Sequence, residues 1–321
     1  MEILRDPLPS ADLPRGGVVT IGNFDGVHRG HQLLVRGAVE HARALEIPAV
    51  ALTFKPHPEM VLRPEVGLKL LTNASQRAQL LALCGLDALV EIGFDRRLAA
   101  TSAEVFTREF LHLRLLPREV WLGADFRFGA DRLGDVELLA TLGRELGFGV
   151  VGVDPVSEGG DVISSTRIRR TVAHGHVEAA WLLLGRPYFV DGDVYTGERM
   201  GRKLGFPTIN IGVGDGLLPA HGVYATAVQI PSFGRVFACV TNIGVRPTVY
   251  ENYRVTVESH VLDFTADLYE EPVRLFFLRR LREERIFPSS MALVAQIHRD
   301  VEQTKLYFLQ HGLPLRGLVL R

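Results

Sequence analysis

The chain has 321 residues, 47% hydrophobic and 23% charged, a balance that supports buried cores and excludes disordered, collagen-like and coiled-coil classes, while its length favours two domains. Thirty-six basic against thirty-seven acidic residues give a formal charge of -1, so no global field draws the chain to nucleic acid or to an anionic membrane. Two distant cysteines, Cys84 and Cys239, exclude a Cys-based zinc site and a disulfide framework; with a charged, Pro-containing start and no apolar run of about 18 residues, a cytoplasmic protein is expected.

In the first half, short apolar runs at 17–21, 49–54, 88–92, 120–123 and 149–153, most of them separated by helix-length segments, predict a parallel sheet with helices on its faces. Asn73 with Gln76 and Thr101 with Glu104 read as capping boxes. In such α/β sheets ligands sit beyond the carboxyl ends of the strands, and the loop after the first of these runs reads GNFDGVHRGH, residues 22–31. Its helix starts near Gly30, which puts His28 and His31 at the positive helix end, where two imidazoles suit a phosphate whose charge rises during attack. Gly30 leaves room for a flat base. Two surface histidines capping a helix would give the same pattern. At the far end of this half, ISSTRIRR (163–170) offers Ser164, Ser165 or Thr166 as a helix cap, with Arg167, Arg169 and Arg170 on the first turns. Arginines there oppose the helix dipole, and bound phosphates would explain them; an exposed basic helix is the plain alternative. Neither GxGxxG after the first strand nor GxxxxGK[ST] occurs, which disfavours Rossmann dehydrogenases and P-loop NTPases.

From Gly185 the pattern changes to strand and turn, at 188–195, 208–211, 222–229, 236–241, 253–263 and 272–278. Six such strands predict a small antiparallel barrel, and residues 288–312 a terminal helix packed on it. The domains expected are therefore 1–184 and 185–321. In GERMGRKLGFPTIN (197–210), Gly201 and Gly205 would let backbone N–H groups approach phosphates. Thr208 and Asn210, two apart on a strand, present oxygens on one side, an arrangement suited to Mg²⁺ and a phosphate. Pro207 fixes the start of that strand; a glycine hairpin accounts for the glycines equally well. On residues 253–264 the period of two places Arg254, Thr256, Glu258 and His260 on one face, where Glu258 is either a general base or half of a cross-strand ion pair.

The HxGH and ISSTRIR loops together resemble the HIGH-type nucleotidyltransferase superfamily. Within it, GNFDGVHRGH, FKPHP (54–58) and GADFRFG (123–129) are similar to the adenylyltransferase module of bacterial FAD synthetases. GRPY at Gly185, GRKLGFPTIN at Gly201, GVYA at Gly222, TNIGVRPT at Thr241, VESHVLDF at Val257 and RLREERIF at Arg280 resemble riboflavin kinase, in that order. The likeness to the bifunctional prokaryotic FAD synthetase spans nearly the whole chain.

It implies a HIGH-type Rossmann-like α/β domain and a six-stranded barrel. It also implies a transferase that makes FMN from riboflavin and FAD from FMN, with ATP and Mg²⁺ in both steps. By that resemblance Gly22, Phe24, Asp25, Gly26, His28, Gly30, His31, Ser164, Ser165, Thr166, Arg167 and Arg169 bind ATP in the first domain. Gly201, Lys203, Gly205, Pro207, Thr208 and Asn210 bind it in the second, with Thr208 and Asn210 holding the metal. Asn23, Phe54, Pro56, His57, Pro58, Asp125, Phe126 and Phe128 would contact flavin, His28 and His31 serve adenylyl transfer, and Glu258 deprotonates the ribityl 5′-hydroxyl. Lys55, Asp193 and Ile209 stand where the family usually has an acidic residue, a basic residue and Ala. Two other classes remain open: an adenylyltransferase whose barrel only binds flavin and regulates, and an RNA-binding protein, against which stand the net charge and the lack of interleaved aromatic and basic residues.

Overall fold

A computed structural model describes residues 1–6, 13–197, 201, 204–246, 254–266, 268 and 270–312. The chain divides into two compact units, Met1–Ser165 and Thr166–Arg321.

In the first unit the expected strands form one parallel sheet: β2 (Val18–Ile21), β3 (Ala49–Lys55), β4 (Ala88–Gly93), β5 (Glu119–Gly123) and β6 (Gly149–Val153). A further strand, β1 (Glu2–Arg5), pairs in parallel with β4 at the edge, giving the order β1-β4-β3-β2-β5-β6. Its four residues, mostly exposed, carry no apolar run, so nothing in the sequence pattern marks them as a strand. β2 and the first six residues of β3 are wholly buried, as central strands covered on both faces must be. Val19, Ile21, Val50, Leu52, Val90, Ile92, Val120 and Leu122 form the core with Leu111, Leu115 and Leu139. From β2 the chain winds outward through α1 (Arg29–Ala44), β3, α2 (Pro58–Leu62), α3 (Ala74–Ala82) and β4, then returns to β5 on the other side of β2. That reversal opens a crevice at the carboxyl ends of β2 and β5.

The Asn73–Gln76 capping box starts α3 as expected. The Thr101–Glu104 box is a misreading. Ser102 is the cap, its hydroxyl accepting from Val105 N at 3.2 Å, because its backbone is extended (ψ 155°). Thr101 closes the preceding α4 (Arg96–Ala99) by donating to Arg97 O. After α5 (Ala103–Val105) the helix widens into a π-helix, Phe106–His112, and ends as α6 (Leu113–Leu115). α7 (Val136–Leu146), capped by Asp135 and stopped at Gly147, leads to β6. A small hairpin, β7 (Ser157–Glu158) with β8 (Asp161–Val162), precedes α8 (Ser165–Ala173).

In the second unit α9 (Val177–Leu184) stops at Gly185, whose φ of 71° is the left-handed C-cap conformation that favours glycine. The six expected strands then close a barrel, all pairs antiparallel: β9 (Tyr188–Tyr195), β10 (Ile209–Val213), β11 (Gly222–Ile230), β12 (Arg235–Arg246), β13 (Arg254–Val261) and β14 (Pro272–Arg282), in the order β10-β13-β12-β11-β14-β9. Inside it the hydroxyls of Thr226, Thr241 and Ser259, all 0% exposed, form a chain of 2.6 and 2.7 Å hydrogen bonds across β11, β12 and β13. α10 (Ser290–His311) covers part of the outer wall, packing Val294, Ile297 and Val301 on Val223 and Val240. Arg282 fixes it further through a two-pronged bond to the buried Asp300 carboxylate (2.9–3.2 Å). Each unit holds one buried cysteine outside any disulfide, Cys84 in the first and Cys239 in the second.

Candidate active sites

The Gly22–Gly26 turn leaves β2 at the crevice. His28 is the N-cap of α1, its Nδ1 accepting from His31 N at 3.3 Å. An accepting Nδ1 puts the proton of the neutral ring on Nε2, a donor suited to a phosphate oxygen. His31 stacks on it with ring centroids 3.6 Å apart. Gly30 lies against the His28 ring, where a Cβ would come within 3.3 Å. The structure thus brings the two histidines together at a helix N-terminus, on one wall. Phe24 and Asp25 face inward instead. The Phe24 ring is fully buried over Gly22 and edge-on to His31. Asp25 is 1% exposed, and its carboxylate accepts from Leu71 N (2.9 Å) and Thr72 N (3.1 Å). These two side chains shape the turn.

Ser165 joins this turn by donating its hydroxyl to Asp25 O at 2.8 Å. Ser164 is half-buried beside it, and Arg29 is ion-paired with Glu158 of the β7–β8 hairpin. Thr166, Arg167 and Arg169 follow on the first two turns of α8, where Arg169 Nη1 reaches Thr166 Oγ1 at 3.5 Å.

The flavin candidates lie beyond β3 and β5. Phe54 and Phe128 are each 8% exposed and belong to the core, joined through Phe106, whose ring lies 6.2 and 5.8 Å from theirs. Phe126 is half-buried, with its ring 6.0 Å from Phe128. Asp125 is exposed and folds back on Gly123. Buried His57 caps α2 by accepting from Glu59 N at 3.2 Å, with Pro58 in the first turn; Pro56 and Lys55 are exposed. Phe94, Phe106 and Phe110 complete this aromatic group. Sequence inspection missed them because they lie just after β4 and on the π-helix, outside any motif.

On the barrel the functional candidates lie in a row across strands. Asn210 of β10 is directly opposite Glu258 of β13, which is opposite Asn242 of β12. Directly opposed residues share a sheet face, so the three stand together. That face is the outer one, because Val257, Ser259 and Val261, 0–6% exposed, fill the interior. Thr256 and His260 share the Glu258 face as the period of two predicts, and Ile209, opposite Ser259, lies on the other. Arg254 is the first residue of the strand. Thr208 differs from expectation by lying just before β10 rather than on it. His260 holds that segment, with Nδ1 2.8 Å from Pro207 O.

Gly197 lies against the Asn210 amide and Gly201 against the Thr208 side chain, so that a Cβ at either position would collide with the protein. Gly205 (φ 87°) makes the turn between them and Pro207. Lys203 lies outside the described residues. Thr208 Oγ1 and Asn210 Oδ1 are hard oxygen donors closely covered by glycine backbone, a donor set that fits Mg²⁺, which binds through a few protein oxygens and substrate phosphates. Asn242, which the sequence reading did not single out although it lies within the TNIG motif, shares the Glu258 face by register.

Comparison with known proteins matches both halves. The family described as FAD synthetase matches residues 10–167, and that described as riboflavin kinase matches residues 184–308. A relative from Escherichia coli (strain K12), a "Bifunctional riboflavin kinase/FMN adenylyltransferase", is 37% identical over 96% of this chain and 98% of its own. One of the same description from Pseudomonas fluorescens is 39% identical over 89% and 91%. A crystal structure described as a "Macrolide-efflux Protein" from Streptococcus pneumoniae superposes with a TM-score of 0.88 at 30% identity, covering 95% of this chain and 99% of that one. Among the described residues of this chain no helix is long and apolar enough to cross a membrane. With each half matched to its own family and nearly the full length shared with these relatives, the chain belongs to the bifunctional riboflavin kinase/FMN adenylyltransferase family.

Proposed function

We propose that this chain makes FAD from riboflavin in two ATP-dependent steps at two separate sites. At the barrel, Glu258 takes the proton of the ribityl 5′-hydroxyl as its oxygen attacks the γ-phosphorus of ATP; FMN forms and ADP leaves. Thr208 and Asn210 would hold Mg²⁺, which when bound neutralises phosphate charge. Such phosphoryl transfer rests mainly on positioning and charge neutralisation, with a general base adding about 10²- to 10⁴-fold.

At the sheet, a phosphate oxygen of FMN attacks the α-phosphorus of ATP and pyrophosphate leaves. His28 and His31 donate to the phosphate as its charge rises. The Ser164–Thr166 hydroxyls with Arg167 and Arg169 would hold the departing pyrophosphate, and the aromatic group around Phe126 would take the flavin ring. Two buried cysteines that form no disulfide accord with a cytoplasmic site of action.

The observation that carries the two-step reading is the alignment of Asn210, Glu258 and Asn242 across the barrel. A barrel that only bound flavin would have no use for a carboxylate beside a metal-competent pair. A chromatographic time course with MgATP and riboflavin, run beside one started from FMN, tests it. FMN rising and then giving way to FAD is the expected result. FAD from FMN with nothing from riboflavin would reduce the barrel to a regulatory module, and no turnover in either reaction would end the enzyme reading.

A further inference from the structure

The turn carrying His28 bends through conformations that side-chain-bearing residues rarely take: φ is +51° at Phe24 and +39° at Val27. Such backbone persists only where its surroundings impose it. Here the imposing segment lies 46 to 54 residues further along the chain. Thr72 Oγ1 accepts from Gly26 N at 3.0 Å, and Thr72 N donates to the Asp25 carboxylate at 3.1 Å. One turn into α3, Arg77 directs Nη1 at Asn23 O (3.5 Å) while Nη2 is paired with Glu91 Oε1 (3.0 Å). Thr53 Oγ1 donates to the same Asn23 carbonyl at 3.4 Å. Thr72, Arg77 and Glu91 are each 3% exposed, too deep to touch a nucleotide or a flavin. The buried Arg77–Glu91 pair anchors the guanidinium, so its second arm points at the turn from a fixed place.

We propose that Thr72 and Arg77 are positioning residues for adenylyl transfer. They hold the Asn23–Gly26 turn at both ends and thereby set where His28 and His31 meet the reacting phosphate. Resting as it does on the function proposed above, this assignment concerns alignment rather than substrate affinity, so its signature is a loss in kcat at nearly constant KM.

The test uses the full chain with Thr72→Val, Thr72→Ser and Arg77→Lys, measuring kcat and KM for FMN to FAD, the riboflavin to FMN rate, and native-state amide exchange at Gly26. Thr72→Val should lower kcat for FAD formation about 10-fold, with KM for ATP and FMN within about two-fold. It should also speed exchange at Gly26 and leave the kinase rate unchanged. Thr72→Ser, which keeps the oxygen, should restore both kcat and protection. Arg77→Lys keeps the charge opposite Glu91 but loses the second arm, and should cost about three-fold in kcat. Equal losses in Thr72→Val and Thr72→Ser, a change confined to KM, or unaltered turnover would overturn the assignment. If the unaltered chain made no FAD, the functional proposal would fail, while exchange at Gly26 would still decide whether Thr72 holds the turn.

Discussion

His28 stands at the start of a helix beyond a sheet, whereas Glu258 stands in the middle of a strand, and the two are held by different means. Around His28 the chain is a turn with positive φ at Phe24, Gly26 and Val27, kept in shape by a buried hydrogen bond to Thr72 and a half-buried one from Ser165. Around Glu258 the backbone is regular: register alone sets Asn210 and Asn242 on either side, and a buried hydroxyl chain ties the strands beneath. The lesson concerns robustness. A site on a turn depends on a few distant side chains, while a site on strands depends on many local backbone bonds, and a slip of one residue would turn every member to the opposite face.

The largest expected effect separates the two sites. Glu258→Gln keeps size and register but removes the base, and should lower FMN formation by about 10²- to 10⁴-fold while FAD formation from FMN continues. His31→Asn should do the reverse, costing about 10²-fold in FAD formation with the kinase intact. If either substitution impaired both steps equally, the two regions would not be separate sites. Next in size is Gly201→Ala, whose methyl would collide with the Phe206 carbonyl and the Thr208 side chain; kinase turnover should fall about 10- to 100-fold as the donor pair moves, measured against unchanged FAD formation from FMN.

The smallest effect probes the sheet away from either site. Asp87, placed just before β4, accepts two bonds from Arg43 (2.7 and 2.8 Å) and one from Ala49 N (2.8 Å), and the Arg43 bond holds its carboxyl below the usual range. A depressed carboxylate stabilises the fold above its ordinary pKa of about 3.9 and loses that contribution as pH falls through the lower folded value. Both partners are substantially exposed, so Asp87→Asn should cost about 0.5 kcal/mol at pH 7. The difference between the two proteins' denaturant midpoints should vanish in strong acid.

What could be read from the sequence follows the same division. Five strands of the sheet and all six of the barrel announce themselves because buried strands are apolar runs and half-buried ones alternate. β1 does not, since an edge strand of four mostly exposed residues needs no apolar pattern. The HxGH pair and Glu258 were legible because spacing along one helix or one strand already places them. Asp25 reads as a ligand in its motif, yet its carboxylate is spent inside the protein on amides 46 and 47 residues away. Thr72 and Arg77 belong to no motif at all, because contacts across such separations arise only when α3 folds back on the turn. Thr101 lost the capping role to its neighbour Ser102 for a local reason, a single ψ angle that composition does not fix.

The distribution of the two cysteine thiols gives each half its own reporter. Cys84 follows α3 in the first unit, 7% exposed, and Cys239 lies on β12 in the second, 0% exposed, where burial pushes its thiol upward. Alkylating reagents attack the thiolate, so each sulfur stays silent until the structure around it opens. Mass spectrometry of partly labelled chains can therefore clock the opening of the sheet and of the barrel side by side, in one sample and with no engineered label. Adding riboflavin or FMN to that sample would reveal which half each flavin steadies.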